Sequence, residues 1–176
     1  MENNVSFDIS TFKLGKQALS AIIYYEGKSK KLNNTIYFLN YKAPEVFSYE
    51  VVNEFQHYDQ AFTQGFVYHK GYFYESTGQN GKSSLRKVEI ASGKVLQRID
   101  LDKQYFGEGM TIKDGKIYQL TWKKKLGFVY DLDSFELEKT FDYGQSLEGW
   151  GLSHNNVYLI KNDGCERIWF LDTQTF

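Results

Sequence analysis

The stretch FTQGFVYHKGYFYESTG, residues 62–78, decides the fold, because the chain repeats its pattern twice more. The related stretches are FGEGMTIKDGKIYQLTW at residues 106–122 and EGWGLSHNNVYLIKND at residues 148–163. The residue that all three share is a glycine, at Gly65, Gly109 and Gly151. These glycines stand 44 and 42 residues apart. A period in the low forties indicates a repeat architecture.

Each unit contains a series of short apolar runs separated by polar turns. The first two units end in a fourth run, VLQRIDL at residues 95–101 and FELEKTF at residues 135–141. Four short strands at this period are typical of a β-propeller blade. A β-sandwich also contains many short strands, but nothing in that fold requires a fixed period. A single blade cannot bury both faces, so blades must stack around an axis.

The sequence therefore predicts an all-β chain with two parts. Residues 1–47 contain two apolar runs, ALSAIIYYEG at 18–27 and NTIYFLNYKAP at 34–44. We interpret these runs as strands, separated by the polar stretch GKSKKLNN at 27–34, in which GKSKK at 27–31 is a solvated hairpin tip. Residues 48–176 are predicted to form a partial propeller. Its repeats lie near 62–101, 106–142 and 148–176, which amounts to about three blades.

Composition excludes several classes of function. The net charge of −1 gives no indication of a nucleic-acid partner. The single cysteine, Cys165, excludes an internal disulfide and argues against a thiolate metal site. No run of 18 apolar residues is present, so no membrane span is predicted. The first ten residues lack the pattern of a signal peptide, so the chain is either cytoplasmic or exported by a segment outside it.

Propeller geometry predicts where the varied residues of the repeat lie. The first strand of a blade lines the central channel, and Gln64, Glu108 and Trp150 each stand immediately before the shared glycine. The second strand runs back to the same end, which brings Trp122 there as well. Repetition of the glycine and the apolar residues builds the scaffold. The residues that differ between units are therefore candidates for a pocket at one mouth of the channel.

Glu108 is the candidate for chemistry, because it is the one carboxylate at the innermost position. Aromatic walls would desolvate it and raise its pKa toward neutrality, which suits proton transfer. The alternative is a structural carboxylate that accepts backbone hydrogen bonds. Glu148 is a second carboxyl nearby, and we interpret it as a structural hydrogen-bond acceptor. Trp122 and Trp150 either form the wall of an apolar pocket or belong to the core. No metal-binding constellation appears, since the three histidines are scattered.

Six motifs in order resemble the glutamine cyclotransferases, the plant and bacterial type of glutaminyl-peptide cyclotransferase. They are AFTQGF, YESTGQNGKSSLRKV, FGEGMT, YQLTW, EGWGLS and NDG followed by FLDT. The similarity runs from about residue 57 to residue 176. The resemblance implies a five-bladed β-propeller, of which this chain supplies about three blades. The N-terminal residues resemble the end of the immunoglobulin-like module found on some bacterial members. Such members are exported, so the resemblance implies an extracytoplasmic location, in the periplasm or on the cell surface.

The resemblance also implies a reaction. An N-terminal glutamine of a peptide or protein cyclises to pyroglutamate and releases ammonia, and the reaction requires no cofactor. By motif, Glu108 matches the acid/base residue, Phe62 and Gln64 match residues that contact the substrate, and Trp122 and Trp150 match the aromatic pocket. Some members hold a structural calcium ion on the propeller axis; the sequence assigns no ligands to one here. The second hypothesis is a non-catalytic propeller that binds peptides or protein partners at the same mouth. The sequence leaves the oligomeric state open.

Overall fold

The computed structural model describes residues 4–176, and in this range it contains strands, turns and irregular segments but no helix. The prediction of an all-β chain is confirmed. Over the same residues there is accordingly no helix long and apolar enough to cross a membrane. The chain divides into two compact units between Val51 and Val52.

The N-terminal unit contains one antiparallel hairpin, formed by β1 (Gly15–Tyr25) and β2 (Lys28–Phe38). Glu26 and Gly27 join the strands, with φ angles of 47° and 72°. Two central residues with positive φ match the twist of a hairpin, and this turn places Tyr25 opposite Lys28. The predictions of a hairpin tip over residues 27–31 and of a polar stretch between the strands at 27–34 are therefore wrong. The turn is only two residues long, and the polar residues that follow it belong to β2.

The C-terminal unit contains three antiparallel sheets, each built from strands that are consecutive in the chain. The first sheet consists of β3 (Thr63–His69), β4 (Tyr72–Thr77), β5 (Ser84–Glu89) and β6 (Val95–Asp100). The second consists of β7 (Gly107–Lys113), β8 (Lys116–Thr121), β9 (Leu126–Asp131) and β10 (Leu137–Asp142). The third consists of β11 (Leu152–His154), β12 (Tyr158–Asn162) and β13 (Ile168–Asp172). The sequence repeat is thus a repeat of sheets.

Two hydrophobic cores hold these sheets together. The first core, between the first and second sheets, includes Tyr74, Leu85, Met110, Ile112, Ile117 and Phe128. The second core, between the second and third sheets, includes Tyr118, Leu120, Val129, Phe141, Leu159 and Leu171. Successive residues of β8 point to opposite faces, so Ile117 enters the first core and Tyr118 the second. The second sheet is buried on both faces, and this specifies the register of its strands.

The repeated glycine allows the first strands of neighbouring sheets to touch. A Cβ atom on Gly65 would lie 2.6 Å from the amide nitrogen of Met110. One on Gly109 would lie 2.3 Å from the carbonyl oxygen of Trp150. The amide of Gly109 donates a hydrogen bond of 2.8 Å to that same oxygen. Only a residue without a side chain permits this approach of backbone to backbone.

The two ends of the first strands differ in character. The turns after these strands, at residues 69–70, 113–115 and 154–156, line one shared cavity. Because β4, β8 and β12 run antiparallel to the first strands, their C-terminal ends lie at the opposite end. We call this opposite end the mouth: the residues immediately before and at the start of β3, β7 and β11, together with those at the end of β4, β8 and β12.

Replacing Gly109 by alanine should destabilise the unit by about 2 kcal/mol or more, since the new methyl group would overlap backbone atoms. Gly151→Ala is the matched control at the same repeat position. The atoms nearest to its Cβ would belong to the side chain of Asn162, at 3.1 Å, and that side chain can move at the cost of the hydrogen bond that it accepts from the amide of Gly151. Urea denaturation of both variants measures the difference. Equal losses of stability would contradict the backbone contact as the reason for the glycine.

Candidate active site

All five residues predicted to form a site lie at the mouth. They are Phe62, Gln64, Glu108, Trp122 and Trp150. Two backbone hydrogen bonds tie the segments that carry them. The amide of Gly109 donates to the carbonyl of Trp150, and the amide of Gly149 donates to the carbonyl of Trp122, both at 2.8 Å. The site is therefore assembled from neighbouring sheets.

Irregular strand pairing presents the two innermost polar side chains. The pairing of β3 with β4 shifts between Thr63 and Gly65, and that of β7 with β8 shifts between Gly107 and Met110. Gln64 and Glu108 lie within these shifts. A β-bulge leaves a residue outside the ladder and redirects its side chain, and bulges are frequent beside active sites. The same local geometry in two sheets brings these side chains together.

Glu108 is buried, with 7% of its surface exposed, and the Gln64 side chain contacts it. The amide Nε2 of Gln64 donates to Oε1 of Glu108 at 3.1 Å. Burial raises the pKa of the Glu108 carboxyl to about 7, and the negative charge of Glu148 acts in the same direction. The hydrogen bond from Gln64 acts in the opposite direction. A carboxyl with this pKa exchanges protons readily near neutral pH.

A row of aromatic rings borders this carboxyl along the mouth. Phe62 is about half exposed, and its ring lies edge-on to that of Phe106, with centroids 6.0 Å apart. Phe106 in turn meets Trp122 edge-on at 5.5 Å. Edge-to-face pairs of this kind are attractive and fix the relative orientation of the rings. The mouth therefore has an apolar wall beside a protonatable group.

Glu148 holds both tryptophans of the site. Its Oε2 atom accepts the indole N–H of Trp122 and that of Trp150, each at 2.8 Å. These two hydrogen bonds, with that from Trp150 having the larger effect, lower the pKa of the Glu148 carboxyl. The two carboxylates of the mouth thus differ: one is buried with a raised pKa, and the other is hydrogen-bonded and ionised.

Behind Glu148 lies a buried lysine. Lys161 has none of its surface exposed, and its ammonium donates to Oγ of Ser146 and to the carbonyl oxygen of Glu148, both at 2.5 Å. It also lies 4.4 Å from the centroid of the Tyr143 ring. Burial lowers the pKa of Lys161 to about 8, and Asp163 opposes this change. The lysine anchors the main chain of Glu148 rather than its carboxylate.

The prediction that Glu148 is a structural hydrogen-bond acceptor is confirmed, because its Oε2 accepts the indole N–H of Trp122 and of Trp150. The sequence analysis assigns no role to Phe106 or to Lys161. For Phe106 the sequence does contain a signal. Phe62, Phe106 and Glu148 all stand three residues before the shared glycine of their unit. Lys161 offered no such signal, because its burial depends on the packing of the third sheet.

The remaining polar candidates do not gather into a site. His57 pairs with Glu75 at 2.9 Å, and His154 pairs with the hydroxyl of Thr111 at 2.8 Å. Over residues 4–176 no three His, Cys, Asp or Glu side chains converge in a way that fits a metal ion. At the mouth, burial raises the pKa of the Glu108 carboxyl to about 7, close to neutral pH.

Comparison with known proteins identifies the chain. The family model for glutamine cyclotransferase matches residues 18–176. A glutaminyl-peptide cyclotransferase from Arabidopsis thaliana is 41% identical over 127 residues, which is 72% of this chain and 39% of the plant protein. The crystal structure of Myxococcus xanthus glutaminyl cyclase matches with a TM-score of 0.65 and 34% identity. That match covers 72% of this chain and 53% of the bacterial one.

The chain thus spans about two fifths of the plant relative and about half of the bacterial one. The family model nevertheless covers most of the chain, including the three sheets and the mouth. The chain belongs to the glutamine cyclotransferase family.

Proposed function

We propose that this protein is a glutaminyl-peptide cyclotransferase, which converts the N-terminal glutamine of peptides or proteins to pyroglutamate. The α-amino nitrogen forms a bond to the side-chain amide carbon, and the bond from that carbon to the amide nitrogen breaks. One proton moves from the attacking nitrogen to the leaving nitrogen, which departs as ammonia. The observation that carries the proposal is the buried Glu108 carboxyl, with its pKa of about 7, in a chain of this family.

Glu108 is the proposed acid/base residue. In its ionised form it takes a proton from the attacking amine, and in its protonated form it returns a proton to the departing nitrogen. A group whose pKa lies near the working pH serves both steps. Since the ring closure is intramolecular, holding the glutamine in a folded conformation supplies a further part of the rate gain.

The other predicted residues form the proposed substrate pocket. Gln64, with its Nε2 on Glu108, orients the carboxyl and has a carbonyl oxygen left for substrate. Phe62, Trp122 and Trp150 form the apolar wall that surrounds the folded glutamine side chain. An apolar wall with a few polar groups is the usual composition of a small-molecule site.

We further propose that the three sheets, within residues 48–176, are blades of the five-bladed β-propeller type, and that residues 1–47 resemble the end of an immunoglobulin-like module. The proposal of blades is supported by the exposed apolar residues of the first and third sheets, such as Phe66, Tyr68 and Phe170. Neighbouring blades would cover such faces. An extracytoplasmic location in a bacterium and a structural calcium on the axis remain predictions from the resemblance, and we assign no ligands to the ion.

Replacing Glu108 by glutamine should lower kcat for ammonia release by roughly 10²- to 10⁴-fold, because the amide cannot exchange the proton. Binding of a peptide with N-terminal glutamine should persist. Glu136→Gln, on an exposed turn, is the control and should leave both unchanged. Turnover by the Glu108 variant at the wild-type rate would remove Glu108 from the mechanism. Peptide binding by a wild type that shows no turnover would favour the non-catalytic propeller instead.

The pH profile of kcat/KM should rise with pH through a limb near 7, as Glu108 loses its proton and becomes a base. Gln64→Leu should move this limb to higher pH, because it removes the hydrogen bond that favours the ionised carboxyl. The amino group of the substrate titrates in a nearby range, but it does so equally for both enzymes. Identical limbs for the two enzymes would contradict the assignment to Glu108.

The raised pKa of Glu108 also predicts a stability effect that needs no substrate. A carboxyl whose pKa is raised in the folded state favours folding below its ordinary pKa of 4.5, and that contribution is lost as the pH rises through about 7. Glu108→Gln should therefore raise the free energy of unfolding by on the order of 2–3 kcal/mol at pH 8 and hardly at all at pH 4. Denaturation at both pH values, with Glu136→Gln alongside, measures this. An equal gain in the free energy of unfolding at pH 4 and pH 8 would contradict a raised pKa of Glu108 as its cause.

A further inference from the structure

Only half of the Glu148 carboxylate is used within the protein. Both indole hydrogen bonds end on Oε2, and Oε1 accepts no hydrogen bond from any residue in the described range 4–176. We propose that Oε1 of Glu148 binds the α-amino group of the N-terminal glutamine and holds it beside Glu108. This inference rests on the proposed function, since it names the part of the substrate that the pocket recognises.

The carboxylate is available for a cation because no side chain of the described residues neutralises it. The nearest buried cation, Lys161, directs its ammonium to the carbonyl oxygen of Glu148 and to Ser146 instead. No lysine, arginine or histidine of residues 4–176 lies within 4 Å of the Glu148 carboxylate oxygens. An ionised carboxylate that lacks a protein partner is a strong acceptor for an ammonium or amine N–H.

The position of this carboxylate is fixed from three directions. The indoles of Trp122 and Trp150 hold Oε2, and Lys161 holds the main-chain carbonyl. The next residue, Gly149, donates its amide to the carbonyl of Trp122. An acceptor held in this way needs little rearrangement when charge develops on the substrate, and such preorganised groups stabilise transition states effectively.

Charge development in the reaction suits an anion at this place. As the amine attacks the amide carbon, its nitrogen becomes positively charged until a base removes a proton. Glu108 and Glu148 lie on segments that are hydrogen-bonded to each other, because the amide of Gly109 donates to the carbonyl of Trp150 at 2.8 Å. An amine within reach of both would donate one N–H to Glu148 and yield another proton to Glu108. Two carboxyls whose environments separate their pKa values commonly divide the work in this way.

Two other charged groups influence Glu148, and neither of them forms a hydrogen bond or ion pair with Oε1. The charge of Lys123 lowers the pKa of Glu148 and that of Asp163 raises it. The ammonium of Lys123 lies 4.0 Å from the centroid of the Trp122 ring, on the exposed side of the mouth. Asp163 accepts hydrogen bonds from Ser146 and Trp169, both at 2.8 Å.

Peptide binding tests the inference in the Glu108→Gln background, where turnover is suppressed. The probes are the amide of the tripeptide Gln-Phe-Ala and its des-amino analogue, in which hydrogen replaces the α-amino group. Glu148→Gln keeps one oxygen that can accept both indoles, but it replaces the charged free oxygen by an amide nitrogen. Calorimetry gives the dissociation constant of each peptide for each protein, and Glu136→Gln in the same background is the control.

The inference predicts that Glu148→Gln weakens binding of the amino peptide by roughly 10- to 100-fold and leaves binding of the des-amino peptide unchanged. Equal weakening of both peptides, or of neither, would overturn the inference while leaving the proposed function standing. Failure of both peptides to bind any form of the protein would overturn the proposed function, and the inference with it.

Tryptophan fluorescence shows whether the substitution has changed anything beyond the free oxygen. Glu148→Gln should retain the emission spectrum of the parent, because Trp122 and Trp150 keep their acceptor. Glu148→Ala removes that acceptor and should shift the emission. Selective loss of amino-peptide affinity with an unchanged spectrum supports recognition by Oε1. Selective loss accompanied by a spectrum like that of Glu148→Ala would assign the effect to displaced indoles and overturn the inference.

Discussion

Close contact between the backbones of neighbouring first strands is the constraint on which the rest of this structure depends. At Gly109 the contact is so close that a methyl group would meet the carbonyl oxygen of Trp150 at 2.3 Å. The amide of Gly109 donates a hydrogen bond to the same oxygen and so joins β7 to the segment immediately before β11. The apolar faces of the sheets then meet behind the strands and form the two cores. A larger residue at this position would separate the strands and the cores together.

The same constraint determines where chemistry can take place. The residue before each shared glycine lies at the mouth, where the first strands begin. Glu108 is desolvated there by surrounding protein rather than by any single partner, and burial is accordingly the main cause of its raised pKa. The irregularities in the pairing of β3 with β4 and of β7 with β8 lie at Gln64 and Glu108, whose side chains form a hydrogen bond with each other. The segments around the shared glycines therefore serve both the contact between neighbouring sheets and the candidate site.

Two carboxyls of similar intrinsic acidity have opposite properties at this mouth because their surroundings differ. Glu108 is buried and receives one amide hydrogen bond, whereas Glu148 receives two indole hydrogen bonds and stays ionised. Lys161, which is fully buried, donates to the main-chain carbonyl of Glu148 and not to its carboxylate. A buried cation directed at a carbonyl is unusual, and here it keeps a negative charge exposed to the mouth.

The sequence by itself determined the repeat, the all-β class, the strands of the three sheets and the family, because glycine spacing and apolar runs depend on local geometry that recurs in every unit. It also named the five residues that lie together at the mouth, since equivalent positions of a repeat occupy equivalent places. It failed at the N-terminal hairpin, where a two-residue turn at Glu26 and Gly27 outweighed the polar character of the residues after it. Only the tertiary structure decided which indoles Glu148 binds and where the Lys161 ammonium points. The contacts of Trp122 with Glu148 and of Lys161 with Ser146 join residues that are distant in the chain. Trp150 is only two residues from Glu148, but no spacing along the chain specifies the direction of a side chain.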